Sequence, residues 1–490
     1  MNQSARLASA AASRTGRYRR LPIIIGTLAL LPTLTACFLT RDELDPALEV
    51  PKSYHAAHGS PDAAPPPPDW WRSFRSSELT DLMEQAQVAN LDIAVAVAQI
   101  AEADAQARIA GAALLPILDA TANVQHSQSS IAAGGIGQVT TLYTPAMNAS
   151  YTLDFWGHNQ ALLQAAEHSA VASRFAREVV ALTTFASVAN AYFLVLEGQD
   201  RIGIAKKNLA SAEDTLKLIQ DRFNQGTAAA LDVAQQASLT AIQRASIPPL
   251  IEQVQQNTAA LALLLGRAPS GFRVKGGSMS KLAIPRVTPG LPSELLQRRP
   301  DVRQAEAQLA AANANVDAAR TAFFPTIQLT GQAGFESVML RTLFGPGATF
   351  YTLTAGLTQP IFDATLPGQL DLQKGTREQL LQAYRKSVTS AFTDVEKALI
   401  AVEQTTRQEQ LERDAVKESQ RAFDLSQDKL HAGTIDLTTL LTVEQTLFTQ
   451  QDTLAQDRFA RLEALIALYQ ALGGGWLPDV GDKEARAASH

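Results

Sequence analysis

At 490 residues with a single cysteine, the chain is long enough for one large or one duplicated domain and holds no internal disulfide. Hydrophobic residues make up 46% but aromatics only 6%, with a mean hydropathy of −0.04, a profile of alanine-rich helices rather than of a dense aromatic core. The formal net charge of −6 argues against nucleic acid as a partner.

The first 36 residues read as a targeting segment. Arg6, Arg14, Arg17, Arg19 and Arg20 form a basic region, Leu21 to Leu34 an apolar one, and small residues precede Cys37. Leu34-Thr35-Ala36-Cys37 resembles a bacterial lipobox, which implies cleavage before Cys37 and a covalent lipid on that residue. Phe38 next to it, rather than Asp, implies sorting to the outer membrane. Cleavage removes five arginines and no acid, which takes the net charge from −6 to −11. After residue 36 no apolar run approaches the roughly 18 residues of a spanning helix, so helical membrane spans are not expected.

Residues 37–77 read as a lipid anchor and tether, because Pro46, Pro51, Pro61 and Pro65 to Pro68 favour an extended chain without a core face. His55 and His58 are expected to be solvated linker residues rather than a metal pair, and no metal site is expected anywhere. Trp70, Trp71 and Phe74 are expected to pack, ahead of a helix from about Glu78 with Leu79, Leu82, Met83 and Ala86 on one face.

The first repeat, 78–266, contains a hairpin over 116–155 and a coiled coil over 157–266. After Leu114-Leu115-Pro116 the pattern alternates by twos. Leu118, Ala120, Ala122 and Val124 stand against Asp119, Thr121, Asn123 and Gln125, and Tyr143 to Phe155 alternates likewise. Gly134-Gly135-Ile136-Gly137 in the connecting loop lacks the following lysine and helix of a phosphate-binding loop. From Gly157 to Asn224, 68 residues without proline predict a rod. At about 1.5 Å per residue it is roughly 100 Å long. Phe175, Val179, Leu182, Ala186, Ala189, Phe193 and Leu196 alternate steps of four and three, a coiled-coil seam. A turn at Gly226 leads into a return helix from about Leu231, with a break expected at Pro248-Pro249 and an end at Leu265-Gly266.

A linker over 267–300 leads into a second repeat, 301–475, with a hairpin over 325–361 and a coiled coil over 366–472. Phe155 and Phe362, Gly226 and Gly433, and Gly266 and Gly473 each lie 207 residues apart, while Pro116 and Pro325 lie 209 apart, which is the signature of a duplication. Phe323-Phe324-Pro325 repeats the helix-to-strand switch, and its two phenylalanines either pack at that junction or sit at a lipid interface. Residues 476–490 read as a disordered tail.

The fold class is therefore α+β and mainly helical, two tandem repeats each with a β-hairpin and long coiled-coil helices. Each strand sets an apolar stripe opposite small polar residues, which suits a wall between lipid and a wet lumen. Four strands cannot close a barrel, since about eight are the minimum and an open edge is not tolerated in lipid. Two copies supply eight strands and a filled lumen, three supply twelve and a conducting one, so transport calls for three or more. No metalloprotease, nucleophile-elbow or P-loop motif occurs, and the seven histidines are not clustered, which speaks against an enzyme.

The duplicated plan, Leu291 to Asp301, Ala322-Phe323-Phe324-Pro325 and Ala471-Leu472-Gly473-Gly474-Gly475-Trp476 resemble the TolC-type outer-membrane efflux channels, in particular their NodT-like lipoprotein branch. The resemblance covers roughly residues 37 to 476. It implies a homotrimer forming a 12-stranded barrel in outer-membrane lipid, continued by a periplasmic α-helical barrel. It also implies a periplasmic adaptor and an inner-membrane pump, commonly of the resistance-nodulation-division type, and no cofactor beyond the lipid on Cys37. The same architecture serves type I protein secretion, and a structural periplasmic coiled coil without a pore is the other alternative; substrate choice would lie largely in the pump.

In that plan Gly226 and Gly433 mark the periplasmic tips. Family members often carry Asp six positions after the first turn glycine, where Asp232 stands, and acids six and nine after the second, where Thr439 and Thr442 stand. The Tyr and basic residue that tie the gate in some members are Leu430 and Ile435 here, which argues against salt-bridged ties. The expectation is a constriction ringed by Thr439, Leu440 and Thr442 with weaker cation selectivity than acidic rings give. Asp232 reads equally well as a helix N-terminal residue favoured by the macrodipole.

Overall fold

The computed structural model describes residues 48–51, 53–55 and 66–476. The signal segment, Cys37, His58 and residues 477–490 lie outside the described residues. Ser76 starts α1 (Ser77–Ala89) by accepting a hydrogen bond from the Leu79 amide at 3.1 Å. Asn90 separates it from α2 (Leu91–Ala112). Its Oδ1 accepts from the Ile93 amide at 3.0 Å, while its Nδ2 donates to the Leu264 carbonyl at 2.7 Å. One buried side chain thus caps a helix and braces the far end of the first repeat.

The strands β1 (Ile117–Gln128) and β2 (Val139–Leu153) follow, then α3 (His158–Asn224) and α4 (Ala230–Leu264). After α5 (Pro292–Arg298) and α6 (Pro300–Thr321), the strands β3 (Thr326–Phe335) and β4 (Thr349–Thr358) lead into α7 (Thr365–His431) and α8 (Leu437–Ala471). The rods α3 and α7 are 67 residues each and the return helices α4 and α8 are 35 each. Every boundary of the second pair lies 207 residues after its counterpart, 365 after 158 and 471 after 264. The duplication therefore holds residue for residue in the rods and return helices, and the two-residue difference falls in the hairpins. Gly266 and Gly473 end the two return helices at φ 63° and 72°. A Cβ on either would strike the last carbonyl of the short helix it presses on, Ala89 or Arg298, so both junctions need glycine.

Three expectations are corrected. First, α4 is not broken at Pro248-Pro249 but runs through both prolines. Each proline removes one amide from the ladder, but residues 244–246 and 248–249 are exposed, so water reaches the carbonyls left unpaired. Second, α3 contains an 18-residue window with a mean hydropathy of 1.9, apolar enough to cross a membrane, but 61% of that window is buried within the chain. It is core. Third, the tether and tail dock at their ends: Tyr54 is buried with Leu295, Val302, Val388 and Leu468, and the Trp476 ring meets Phe175 edge-on at 6.2 Å.

The main core gathers α1, the middle of α3 and the ends of α4 and α8 around Trp70, Phe74, Phe193 and Tyr469. Trp70 stacks on Tyr469 at 4.9 Å and Phe74 meets Phe193 edge-on at 5.2 Å, so the aromatic cluster before α1 packs, as expected. A separate cluster near the turns of both helical hairpins contains Ile219, Phe423, Leu430, Leu437, Leu440, Leu447 and Phe448. The rods leave the sheet at His158 and Thr365, so this cluster lies about one rod length, roughly 100 Å, from it.

Candidate functional site

The four strands form one antiparallel sheet in the order β1-β2-β3-β4. Its register decides how the two-residue alternation is used. Across the sheet, Leu118 pairs with Ala149, Ala149 with Gly331 and Gly331 with Leu353; Ala120, Met147, Ala333 and Tyr351 form the next such row. Opposite residues in an antiparallel pair share a face, so all four apolar stripes fall on one side. Asp119, Asn148, Gln332 and Thr352 form a row on the other side. There Asn148 Nδ2 donates to Asp119 Oδ1 at 3.0 Å and to Thr121 Oγ1 at 3.1 Å. Leu118, Tyr351, Leu353 and Leu357 are all at least 66% exposed, an unpartnered apolar wall. Among the described residues β1 and β4 pair on one side only.

Below the sheet, Trp156 Nε1 donates to the Pro325 carbonyl at 2.8 Å and its ring stacks on Phe324 at 4.9 Å. Phe324 therefore packs at the junction, the first of the two alternatives. Phe155, beside it, and Phe362, its repeat equivalent, are 72% and 91% exposed.

At the far end the two turns are built alike. Gly226 and Gly433 adopt φ 75° and 72°, where a side chain would be strained. Gly226 N donates to Phe223 O and Thr227 N to Arg222 O, both at 2.9 Å; Gly433 N and Thr434 N repeat the pattern to Leu430 O and Lys429 O at 3.0 Å. The helices that follow are capped by an acid at two different positions. In α4, Asp232 Oδ2 accepts from the Ala229 amide at 2.8 Å. In α8, Asp436 accepts from the Thr439 amide at 2.8 Å and from its hydroxyl at 2.6 Å. Those bonds hold the Asp436 carboxyl below the usual carboxylate range. Both of these capping acids are thus engaged by helix ends.

Thr439 and Thr442 are exposed, and the Thr442 hydroxyl donates to the Thr438 carbonyl at 2.9 Å. Leu440 cannot line a constriction, contrary to expectation: it is fully buried in the cluster of Phe423 and Leu447 because it lies on the α8 face turned toward the other rods. Sequence reasoning also missed the tie between the hairpins. Arg222 Nη2 donates to the Leu430 carbonyl at 2.7 Å and the His431 carbonyl at 3.1 Å. It places a cation on the negative end of α7. Its position in the last turn of α3 was the available signal.

Midway along the rods, Arg201 clamps Asp452 through Nε at 2.7 Å and Nη2 at 3.0 Å and reaches Glu197 at 3.1 Å, joining α3 to α8. Glu409, 3% exposed, receives Arg413 at 2.6 Å, Arg461 at 2.8 Å and Arg458 at 3.2 Å, joining α7 to α8. Burial works to raise its carboxyl, but the hydrogen bonds from Arg461, Arg458 and Arg413 outweigh it and hold the group below the usual range. No cluster of metal-ligating residues occurs among the described residues.

The family model described as outer membrane efflux protein matches the chain twice, over residues 82–267 and 291–474, more than half of its length. The chain belongs to the outer membrane efflux protein family. Each match covers one of the structural repeats. The pyoverdine export outer membrane protein OpmQ of Pseudomonas aeruginosa is 39% identical over 455 residues, covering 91% of this chain and 95% of that protein. The toluene efflux pump outer membrane protein TtgC of Pseudomonas putida is 32% identical, covering 88% and 90%. Among solved structures, the open state of the MtrE outer membrane channel of Neisseria gonorrhoeae aligns with a TM-score of 0.79 at 29% identity, covering 89% of this chain and 97% of that one. As a member of the outer membrane efflux protein family, the chain is an outer-membrane channel of an efflux system and not an enzyme. Its long helices make up a large periplasmic part, in line with the amphipathic sheet and the rods that hang from it.

Proposed function

We propose that three copies of the chain close one pore, with β4 of each copy pairing with β1 of the next to give a barrel of twelve strands. The observation that carries this is the sheet itself, apolar on one face, polar on the other and open at both edges. In lipid an open edge leaves backbone groups unpaired at several kcal/mol each, on the order of the cost of burying an amide without a partner. Three copies leave a lumen wide enough to conduct. The rods then surround a periplasmic duct whose far end is the double turn at Gly226 and Gly433, where a periplasmic adaptor and an inner-membrane pump of the resistance-nodulation-division type dock. Cys37 carries the lipid that anchors the N-terminus.

At the tip, Arg222 holds the two hairpins of one copy together, and the exposed Thr439 and Thr442 are the candidates for lining the constriction. Asp232 and Asp436 cap helix ends, and the weak cation selectivity rests on Thr439 and Thr442 standing where acids often stand. Relatives named for pyoverdine export match this chain at 39% and 36%, against 32% for the toluene efflux relative, so pyoverdine export is the first substrate assignment to test. The trimer is tested by single cysteines in β1 and β4 of a Cys37→Ser chain. Oxidation is expected to give a ladder ending at three copies, and a pattern that stays monomeric contradicts the proposal.

A further inference from the structure

Of the four buried glutamates on the long helices, Glu197, Glu409, Glu412 and Glu444, only Glu444 is buried completely. Glu197 pairs with Arg201 and Glu409 with three arginines, whereas Glu444, fully buried on α8, makes no ion pair among the described residues. It lies seven positions after Leu437 and between Leu440 and Leu447, on the face that packs the tip. From α4 it faces Gln236, also fully buried, and from α3 Ser211. From α7 the tip cluster contributes Phe423 and Leu430, which carry no charge. Along the chain the next charged residues are Asp436, engaged by Thr439, and Asp452, engaged by Arg201; each is eight positions away.

Among the described residues no cation faces this carboxyl. Gln236 Nε2 donates one of its two hydrogens to the Ala212 carbonyl at 3.1 Å, and Thr240 Oγ1 lies 3.2 Å from the same oxygen. Gln236 Oε1 and both Glu444 oxygens complete no hydrogen bond. A carboxylate at this position is a buried charge without a counter-ion, whereas a protonated carboxyl carries no charge and can itself donate. We propose that Glu444 is a protonation switch of the periplasmic tip: neutral, it lets α8 close against α3 and α4; ionised, it drives the two hairpins apart. This rests on the channel reading given above.

Burial pushes the Glu444 carboxyl up to about 7, against the opposing pull of Gln236 and Ser211. A glutamate released to water titrates near 4.3, roughly, so the packed tip holds the proton more tightly than the opened one. Closure is therefore undisturbed at acid pH, weakens as pH rises through this window and is weakest above about 7.

The test is hydrogen exchange of Leu437–Phe448 in the detergent-solubilised full chain at acid and alkaline pH, corrected for the intrinsic rate, with bilayer conductance in parallel. The native tip is expected to lose roughly tenfold or more of its protection on going to alkaline pH, while Glu444→Gln and Glu444→Leu keep theirs. Open probability should follow the same pattern. Equal pH responses in native and variant chains, or none in the native chain, overturn the switch. A chain that never conducts, yet shows the exchange pattern, keeps the packing switch and instead overturns the pore.

Discussion

Glu409 and Arg222 carry charge into places where the surroundings decide its effect. Removing a buried carboxylate that neutralises three arginines leaves uncompensated cations, a loss on the order of 3–5 kcal/mol. Glu409→Gln is thus expected to lower the thermal midpoint of the purified protein. Its pH dependence has a definite sign. The native carboxyl is held below its ordinary value, so its contribution is present at neutral pH and fades as pH falls through the ordinary glutamate range and below. Glu409→Gln should therefore flatten the acid limb of the stability curve; an unchanged limb rules this account out. Arg222→Gln removes the tie to the α7 carboxyl end and should raise open probability in bilayers while leaving the melting temperature nearly unchanged. A tighter channel would contradict it.

Residue-scale roles were the least legible in the sequence. Leu440 and Thr439 are neighbours with opposite fates, one buried and one exposed, and only the packing of α8 against the other rods decides which is which. Glu444 could have been found, because an acid seven positions after Leu437 breaks an otherwise apolar face. Arg222 could not be paired from sequence, since its partner carbonyls belong to a helix end about 200 residues away.

At the scale of elements the chain announced itself more openly. Paired glycines at a constant offset fixed both turns and both helix ends, because each position demands a backbone conformation or a close approach that only glycine meets. Alternation by twos fixed the strands, and the register adds that the four apolar stripes join into one face. Pro248-Pro249 misled because a helix break is expected from the lost amides alone, whereas solvent access decides whether the loss is tolerated. Restoring those amides with the double change Pro248→Ala and Pro249→Ala should raise the thermal midpoint by several degrees. A lower midpoint would mean that stiffening of the unfolded chain by the prolines outweighs the two missing bonds. The Trp156–Phe324 stack predicts that Trp156→Ala makes the helix-to-strand junction more susceptible to protease in detergent, with Trp156→Phe close to native.

For the whole molecule, the sequence showed the duplication and the need for copies to assemble. What it could not show is how the ends of the tether and tail dock, because Tyr54 and Trp476 find their partners on helices far away in the chain. Cys37→Ser should abolish fatty-acid labelling while leaving the protein in the membrane, since the sheet and not the lipid spans the bilayer in this account; release into the soluble fraction would contradict that.

The central claim is that four strands with two open edges become a wall only when three chains share them. It is tested most directly by the native mass of the full-length protein extracted in mild detergent. A single species of three copies is the predicted result, and a stable monomer or dimer that still conducts would contradict it.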